Sequence, residues 1–220
     1  MRTLGILIIA VAVFVAACAD PAANKPKATT SDVTNTDPAN TQANTASAEQ
    51  PKGELVELNS ENTKLEFTGS KVTGKHDGGF KTVRGNIDLV DGKAEGSTVR
   101  VEIDMASVYT DADGLTEHLK NEDFFLVSQH PTSTFNLTKI EADPAKAPDG
   151  YTVSGELELR GVKKQISFPA TIKTAAAEVT VDSEFSINRR DFGVNYDGKA
   201  NDLIRDDVVI RLSIKAPRKK

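Results

Sequence analysis

The chain has 220 residues, a length for one domain or one domain with tails, and only 38% of them are hydrophobic, so part of the sequence lies outside any core. A net charge of −5 opposes general nucleic-acid binding, which calls for a basic face. The single cysteine excludes an intrachain disulfide and a cysteine-rich metal cluster.

The first segment, residues 1–17, reads as an export signal. Arg2 supplies a positive start, and Leu4 to Ala17 is a continuous apolar run of 14 residues. That run is shorter than the roughly 20 residues of a membrane-spanning helix and fits a signal-peptide core. Small residues lead directly into the only cysteine in Val15-Ala16-Ala17-Cys18. This resembles the bacterial lipoprotein signal, which implies that Cys18 is lipidated and becomes the first residue of the mature protein. An ordinary secretory signal with an incidental cysteine is the alternative. Each acyl methylene buried in a bilayer contributes about 0.8 kcal/mol, so several chains on Cys18 anchor the protein firmly. Ala19 follows the cysteine where aspartate acts as an inner-membrane retention signal, and Asp20 comes one position too late. The resemblance therefore implies a lipid-anchored protein of the bacterial cell envelope, on the periplasmic face of the outer membrane.

From Ala19 to about Glu54 the chain is mostly Ala, Thr, Asn, Pro, Asp and Ser, with Val33 its only large aliphatic residue. Such a composition does not offset the entropy of folding. Residues 18–54 are predicted to be a lipidated, disordered tether, spanning on the order of 30 Å as a flexible coil.

The folded domain is expected over residues 55–217. In Thr98–Val108, residues Val99, Val101, Ile103 and Met105 share one face, with Arg100, Glu102 and Asp104 opposite. Gly150–Val162 sets Tyr151, Val153, Leu157 and Leu159 against Ser154, Glu156, Glu158 and Arg160. The same alternation runs through Ile166, Phe168, Ala170 and Ile172, through Val179, Val181, Phe185 and Ile187, and through Val208, Ile210, Leu212 and Ile214. Shorter strands are predicted at Lys64–Val72, Thr82–Leu89 and Thr134–Ile140, with turn signals at Asp91-Gly92 and Asp149-Gly150. Period-two alternation of this length predicts antiparallel strands with one wet face. About eight strands without a βαβ rhythm leave a sandwich or a closed barrel. A closed eight-stranded wall is filled by side chains or holds one small ligand.

One stretch departs from the strand grammar. In Gly114–Phe135, Leu115 and Leu119 stand four apart with Phe124 or Phe125 five or six further on, roughly one face of a helix, which predicts one short amphipathic helix that His130-Pro131 stops. Asp111 or Asp113 is expected to help cap it.

The order of blocks is itself distinctive. A Gly78-Gly79-Phe80 turn leads to Gly85-Asn86-Ile87, then come GLTEHLKNEDFF, HPTSTF, GELELRGVKKQISFPA, FSINRRDFGV and DDVVIRLSIKA. This series, over about Leu55 to Ala216, resembles the YceI-like family of exported bacterial proteins. Leu126 and Val127 after the Phe pair depart from it, an acidic residue being common there. The resemblance implies an extended eight-stranded antiparallel lipocalin-like barrel with one short helix. It further implies a binding module with a non-covalent polyisoprenoid, quinone or fatty-acid derivative inside and no other cofactor; with no catalytic constellation among the residues, an enzyme is not expected. The alternative is a structural or partner-binding lipoprotein with a filled core. The partners implied are that lipid and the membrane held through Cys18; a homodimer is left open.

The candidate tunnel residues are Phe67, Phe80, Leu89, Val101, Ile103, Leu119, Phe124, Phe125, Phe135, Leu157, Leu159, Phe168, Phe185, Phe192 and Ile210. For any one of them, plain core packing is the competing reading. In Arg189-Arg190-Asp191-Phe192-Gly193 a guanidinium could hold a phosphate or quinone carbonyl, or could simply pair with Asp191 or another carboxylate. Arg84, Arg160 and Arg190 are thus the headgroup candidates. His76, His118 and His130 lack the spacing of a metal site. Asp111, Asp113, Glu117 and Asp123 lack the glycine-centred calcium loop. Asp202, Asp206 and Asp207 read as a solvated loop. The sequence contains no nucleophile elbow and no phosphate loop.

Overall fold

The computed structural model describes residues 20–33 and 53–219. The signal of residues 1–17, Cys18 and residues 34–52 of the expected tether lie outside them. The fold is all-β with one short helix. In chain order the strands are β1 (Thr29–Asp32), β2 (Glu54–Leu58), β3 (Thr63–Lys71), β4 (Gly74–Phe80), β5 (Val83–Leu89), β6 (Thr98–Asp104) and β7 (Val108–Thr110). Helix α1 (Asp113–Leu119) follows, then β8 (Thr132–Ala142), β9 (Gly150–Leu159), β10 (Val162–Thr174), β11 (Glu178–Asn188), β12 (Gly198–Lys199), β13 (Asp202–Leu203) and β14 (Asp207–Pro217).

The eight expected strands correspond to β3, β5, β6, β8, β9, β10, β11 and β14, and they form one curled antiparallel sheet. Its order is β2-β5-β6-β8-β9-β10-β11-β14-β3-β4-β7, with β1 added on β10. At the closing side β2 lies against β14 and β5 against β3. The additional strands are short or, like β4, lack apolar alternation. β4 reads GKHDGGF, and Gly78-Gly79-Phe80, expected as a turn, pairs with β3 on one side and β7 on the other. Inward residues line up across the wall: Phe185 and Phe67 both flank Ile210 in register.

Two glycines decide local geometry. Arg160-Gly161, expected at the end of a strand, is a two-residue hairpin turn with φ of 52° and 72° between the paired Leu159 and Val162. Positive φ at both positions matches the right-handed twist of the flanking strands. At Gly155 a Cβ would fall 2.4 Å from Phe135 Cζ, so only glycine lets that ring lie across β9.

The helix is shorter than expected. It ends at Leu119, and Phe124 and Phe125 sit in the turns that follow, held by bonds from Phe125 N–H to Leu119 O (3.0 Å) and from Leu126 N–H to Asn121 O (2.9 Å). Near-helical turns preserve the apolar spacing, which is why the sequence pattern ran on. The expected aspartate cap is absent: Ala112 stands at the N-cap without a side-chain bond. Asp111 instead faces His76 Nδ1 at 2.8 Å.

The largest departure concerns the expected tether, because residues 20–33 are packed on the barrel. β10 and β11 pair only from Thr171–Thr174 to Val179–Asp182, and Pro169 next to that ladder has no N–H to extend it. The N-terminal segment fills the opening. Ala28 N–H donates to Ser186 O and Ser186 N–H to Pro26 O, both at 2.8 Å, while β1 pairs with Lys164–Ser167. Ala28 is buried in the cluster of Ile166, Phe168, Phe185 and Ile187. Ion pairs Lys25–Glu184 (2.6 Å), Lys27–Asp207 (2.7 Å) and Lys164–Asp32 (2.6 Å) tie the segment down. Its composition concealed this, because most of what it contributes is backbone hydrogen bonding.

Ala28→Glu places a charge among those rings and is expected to release the segment. The measurement is amide hydrogen exchange: Ser186 should lose protection while the β3–β14 ladder keeps it. Undiminished protection at Ser186 would count against the docking. Acid should act in the same direction. The Lys25 ammonium, and then Arg211, hold the Glu184 carboxyl below its ordinary value, and Lys164 does the same for Asp32. A carboxylate lowered in the folded state adds stability above its ordinary value and loses it as pH falls through the lowered one. Docking is therefore expected to be complete at neutral pH and to fade only below the usual carboxylate range, read from proteolytic cleavage between residues 20 and 33 against pH.

Candidate functional site

The inward faces of the strands enclose an apolar cavity of about 290 Å³ along the barrel. That is close to the lower end of the roughly 300–1,000 Å³ typical of small-molecule sites. Of the expected tunnel residues, Phe67, Phe80, Leu89, Val101, Ile103, Leu119, Phe124, Phe125, Phe135, Leu157, Leu159, Phe168, Phe185 and Ile210 all line it. Phe192 does not. Its ring is fully buried in the 3-10 turn Arg189–Phe192, packed behind the lining as plain core.

Leu89, Ile172, Val179 and Ile214 enclose one end, and Leu119, Phe124, Val194 and Ile204 the other. Between them Phe168 and Phe185 stack with ring centroids 4.2 Å apart. The lining extends to Val99, Val153, Ile166, Val181, Ile187, Val208 and Leu212, which share the strand alternation of the residues singled out. Val194 and Ile204 come from irregular loops with no period to reveal them.

Ser133, Ser97 and Arg189 on the lining bond to the protein itself. Ser133 donates to Glu158 O at 2.6 Å and Ser97 to Lys93 O at 2.7 Å. Arg189, 5% exposed, is the guanidinium that reaches the cavity. It donates to the carbonyls of Val194 (2.6 Å), Arg205 (3.1 Å) and Ile204 (3.3 Å), and it meets Asp206 at 3.2 Å. Burial lowers its pKa from the usual arginine value, with Asp206 opposing.

The three headgroup candidates stand elsewhere. Arg84 is on the outer face, gripping Glu102 at 2.5 and 2.9 Å. Arg160 joins the loop after α1 to the 3-10 turn by donating to Glu122 O (2.6 Å) and to Gly193 O. Arg190 pairs with Asp206 (2.6 Å) and Asp197 in place of Asp191. A strand ending in consecutive arginines offers one to each face, and the inward one is Arg189. The three aspartates expected in a solvated loop are likewise engaged: Asp202 with Lys71 and Thr73, Asp206 with Arg189 and Arg190, Asp207 with Lys27.

At the α1 end His118 bonds Asp123 at 2.8 Å and meets Phe124 and Tyr196 edge-on at 5.0 and 5.3 Å. These contacts hold Phe124 over the cavity. Among the described residues no group of three or more His, Cys, Asp or Glu side chains could hold a metal. The site can therefore enclose an apolar body by shape and exclusion of water, and the one guanidinium that reaches it is already held by the protein.

Comparison with known proteins agrees with this geometry. A UPF0312 protein of Pseudomonas putida strain W619 is 26% identical over 139 residues, covering 60% of this chain and 71% of that protein. The Campylobacter jejuni YCEI protein superposes with a TM-score of 0.57 at 27% identity, covering 65% of this chain and 85% of that one. BcnA of Burkholderia cenocepacia has the same fold, with a TM-score of 0.62 at 22% identity over 70% of this chain and 95% of its own. A polyisoprenoid-binding domain of Saccharophagus degradans also has it, with a TM-score of 0.58 at 18% identity over 76% of this chain and 100% of that one. The YceI-like domain model matches residues 56–216, nearly the whole barrel, and the chain belongs to that family.

Proposed function

We propose that this protein is an envelope lipoprotein, anchored through Cys18 at the periplasmic face of the outer membrane. Its barrel binds a long-chain amphiphile for transport, storage or protection. The observation that carries the reading is the almost wholly apolar cavity along the barrel. Each ligand methylene moved from water into it is worth about 0.8 kcal/mol. Because Arg189, Ser97 and Ser133 are engaged by the protein, recognition rests on the chain of the ligand. Polyisoprenoids, quinone tails and fatty-acid derivatives fit that description, and a neighbour of the same fold is described as polyisoprenoid-binding. The barrel serves as a binding module and not as a catalyst: His76 and His118 pair with Asp111 and Asp123 and do not line the cavity.

Native mass spectrometry with organic extraction, on protein expressed in a bacterium, tests the reading. A co-purifying long-chain isoprenoid, quinone or fatty derivative is expected. Ligand-free protein that also refuses added polyprenols and fatty amides would replace the carrier with a filled, partner-binding barrel.

A further inference from the structure

We propose that one end of the barrel, the tip made by the β3–β4 turn and the β12–β13 hairpin, rests on the lipid bilayer and is where the cavity faces it. The proposal rests on the lipoprotein reading and adds an orientation to it. Three observations converge on this tip. First, Val72 (54% exposed) and Leu203 (49%) are two of the exposed large hydrophobic residues among those described. They are neighbours, with Val72 N–H donating to Leu203 O at 3.2 Å. Asp202 pins the pair in place by bonding Lys71, Thr73 N–H (3.1 Å) and Thr73 Oγ1 (2.9 Å). An apolar pair held rigidly outward is a feature that water disfavours and a membrane interface accepts.

Second, the same hairpin borders the cavity. Ile204, next to Leu203, lines it, and its carbonyl is held by Arg189. Consecutive residues thus face the bilayer side and the binding side.

Third, the docked N-terminal segment has its Asp20 end here. Arg205 N–H donates to Ser70 O at 2.9 Å, and its guanidinium lies 3.6 Å from the Asp20 carboxylate. Two peptide units separate Asp20 from Cys18, a reach of at most about 7 Å. Acyl chains on Cys18 would start one arginine side chain away from the Val72–Leu203 tip. A disordered tether would let the barrel float on the order of 30 Å from the bilayer; the docked segment removes that freedom.

The test uses the full chain, purified with its acyl groups and reconstituted into vesicles of phosphatidylethanolamine and phosphatidylglycerol. Cys18 is the only native cysteine, and acylation on the lipoprotein reading would consume its thiol, so Leu203→Cys then carries the only free thiol for a polarity-sensitive fluorophore. Ala176→Cys, exposed at the opposite end of β11, is the control, and Val72→Cys is a second reporter. Quenching by lipids spin-labelled near the headgroup is expected to be several-fold stronger at positions 203 and 72 than at 176. Asp20→Lys with Lys25→Glu should abolish the difference. Acylated, vesicle-bound protein with all three labels equally in water would overturn this orientation and leave the anchor intact. Protein whose Cys18 carries no acyl group by mass spectrometry would overturn the lipoprotein reading, and the orientation with it.

Discussion

Arg189→Met is expected to lower the stability of the barrel by about 3–5 kcal/mol, because it leaves buried partners without their donor. Three backbone carbonyls and one carboxylate converge on that guanidinium. The loops carrying Val194 and Ile204 reach the cavity through the same contacts, so that end should loosen together with the fold. For a domain of this size the loss corresponds to a fall in melting temperature of roughly 6–20 °C. Arg190→Met provides the internal comparison. Its side chain is 38% exposed and holds Asp206 and Asp197 at the surface, where an ion pair is worth about 0–1 kcal/mol. Urea unfolding of the two variants measures the contrast. Equal losses would show that the buried carbonyl network at Arg189 is not what holds this end.

The second large effect is on binding. Leu157 and Ile210 point into the cavity from β9 and β14. Enlarging either to phenylalanine takes room that ligand methylenes would fill. A ring displacing two or three methylenes removes about 1.6–2.4 kcal/mol of transfer energy, a roughly 15- to 60-fold loss of affinity. The added ring enters open space, so melting temperature should change little. Arg84→Leu alters only the outer face and should leave affinity as it was. Titration of a fluorescent polyprenol or fatty-acid analogue into the three variants gives the numbers. Unchanged affinity in both Leu157→Phe and Ile210→Phe would place the ligand outside the cavity.

Much of the barrel was legible because alternation is a local property. A strand with one wet face must place apolar residues two apart, so β6, β9, β11 and β14 announce themselves and their inward residues. The cavity lining follows from the same period, and Phe192 falls outside it where the period stops, in the 3-10 turn after Asn188. The polar residues were less legible. Arg189 and Arg190 differ by one position, and which of them enters the wall depends on how the strand ends. Asp202, Asp206 and Asp207 looked like a wet loop because their partners, Lys71, Arg189, Arg190 and Lys27, are distant in sequence or lie on another element.

The sequence by itself determined the class of fold, the parity of each long strand and the greasy interior, since hydrophobic burial sorts side chains by type and period. It also carries the family resemblance over residues 55–216. Only the tertiary structure decided the places where backbone pairs with backbone. The polar segment of residues 20–33 enters the wall because β10 and β11 part beside Pro169 and leave donors and acceptors to satisfy. Backbone amides are the same in every residue, so no composition announces where they are needed.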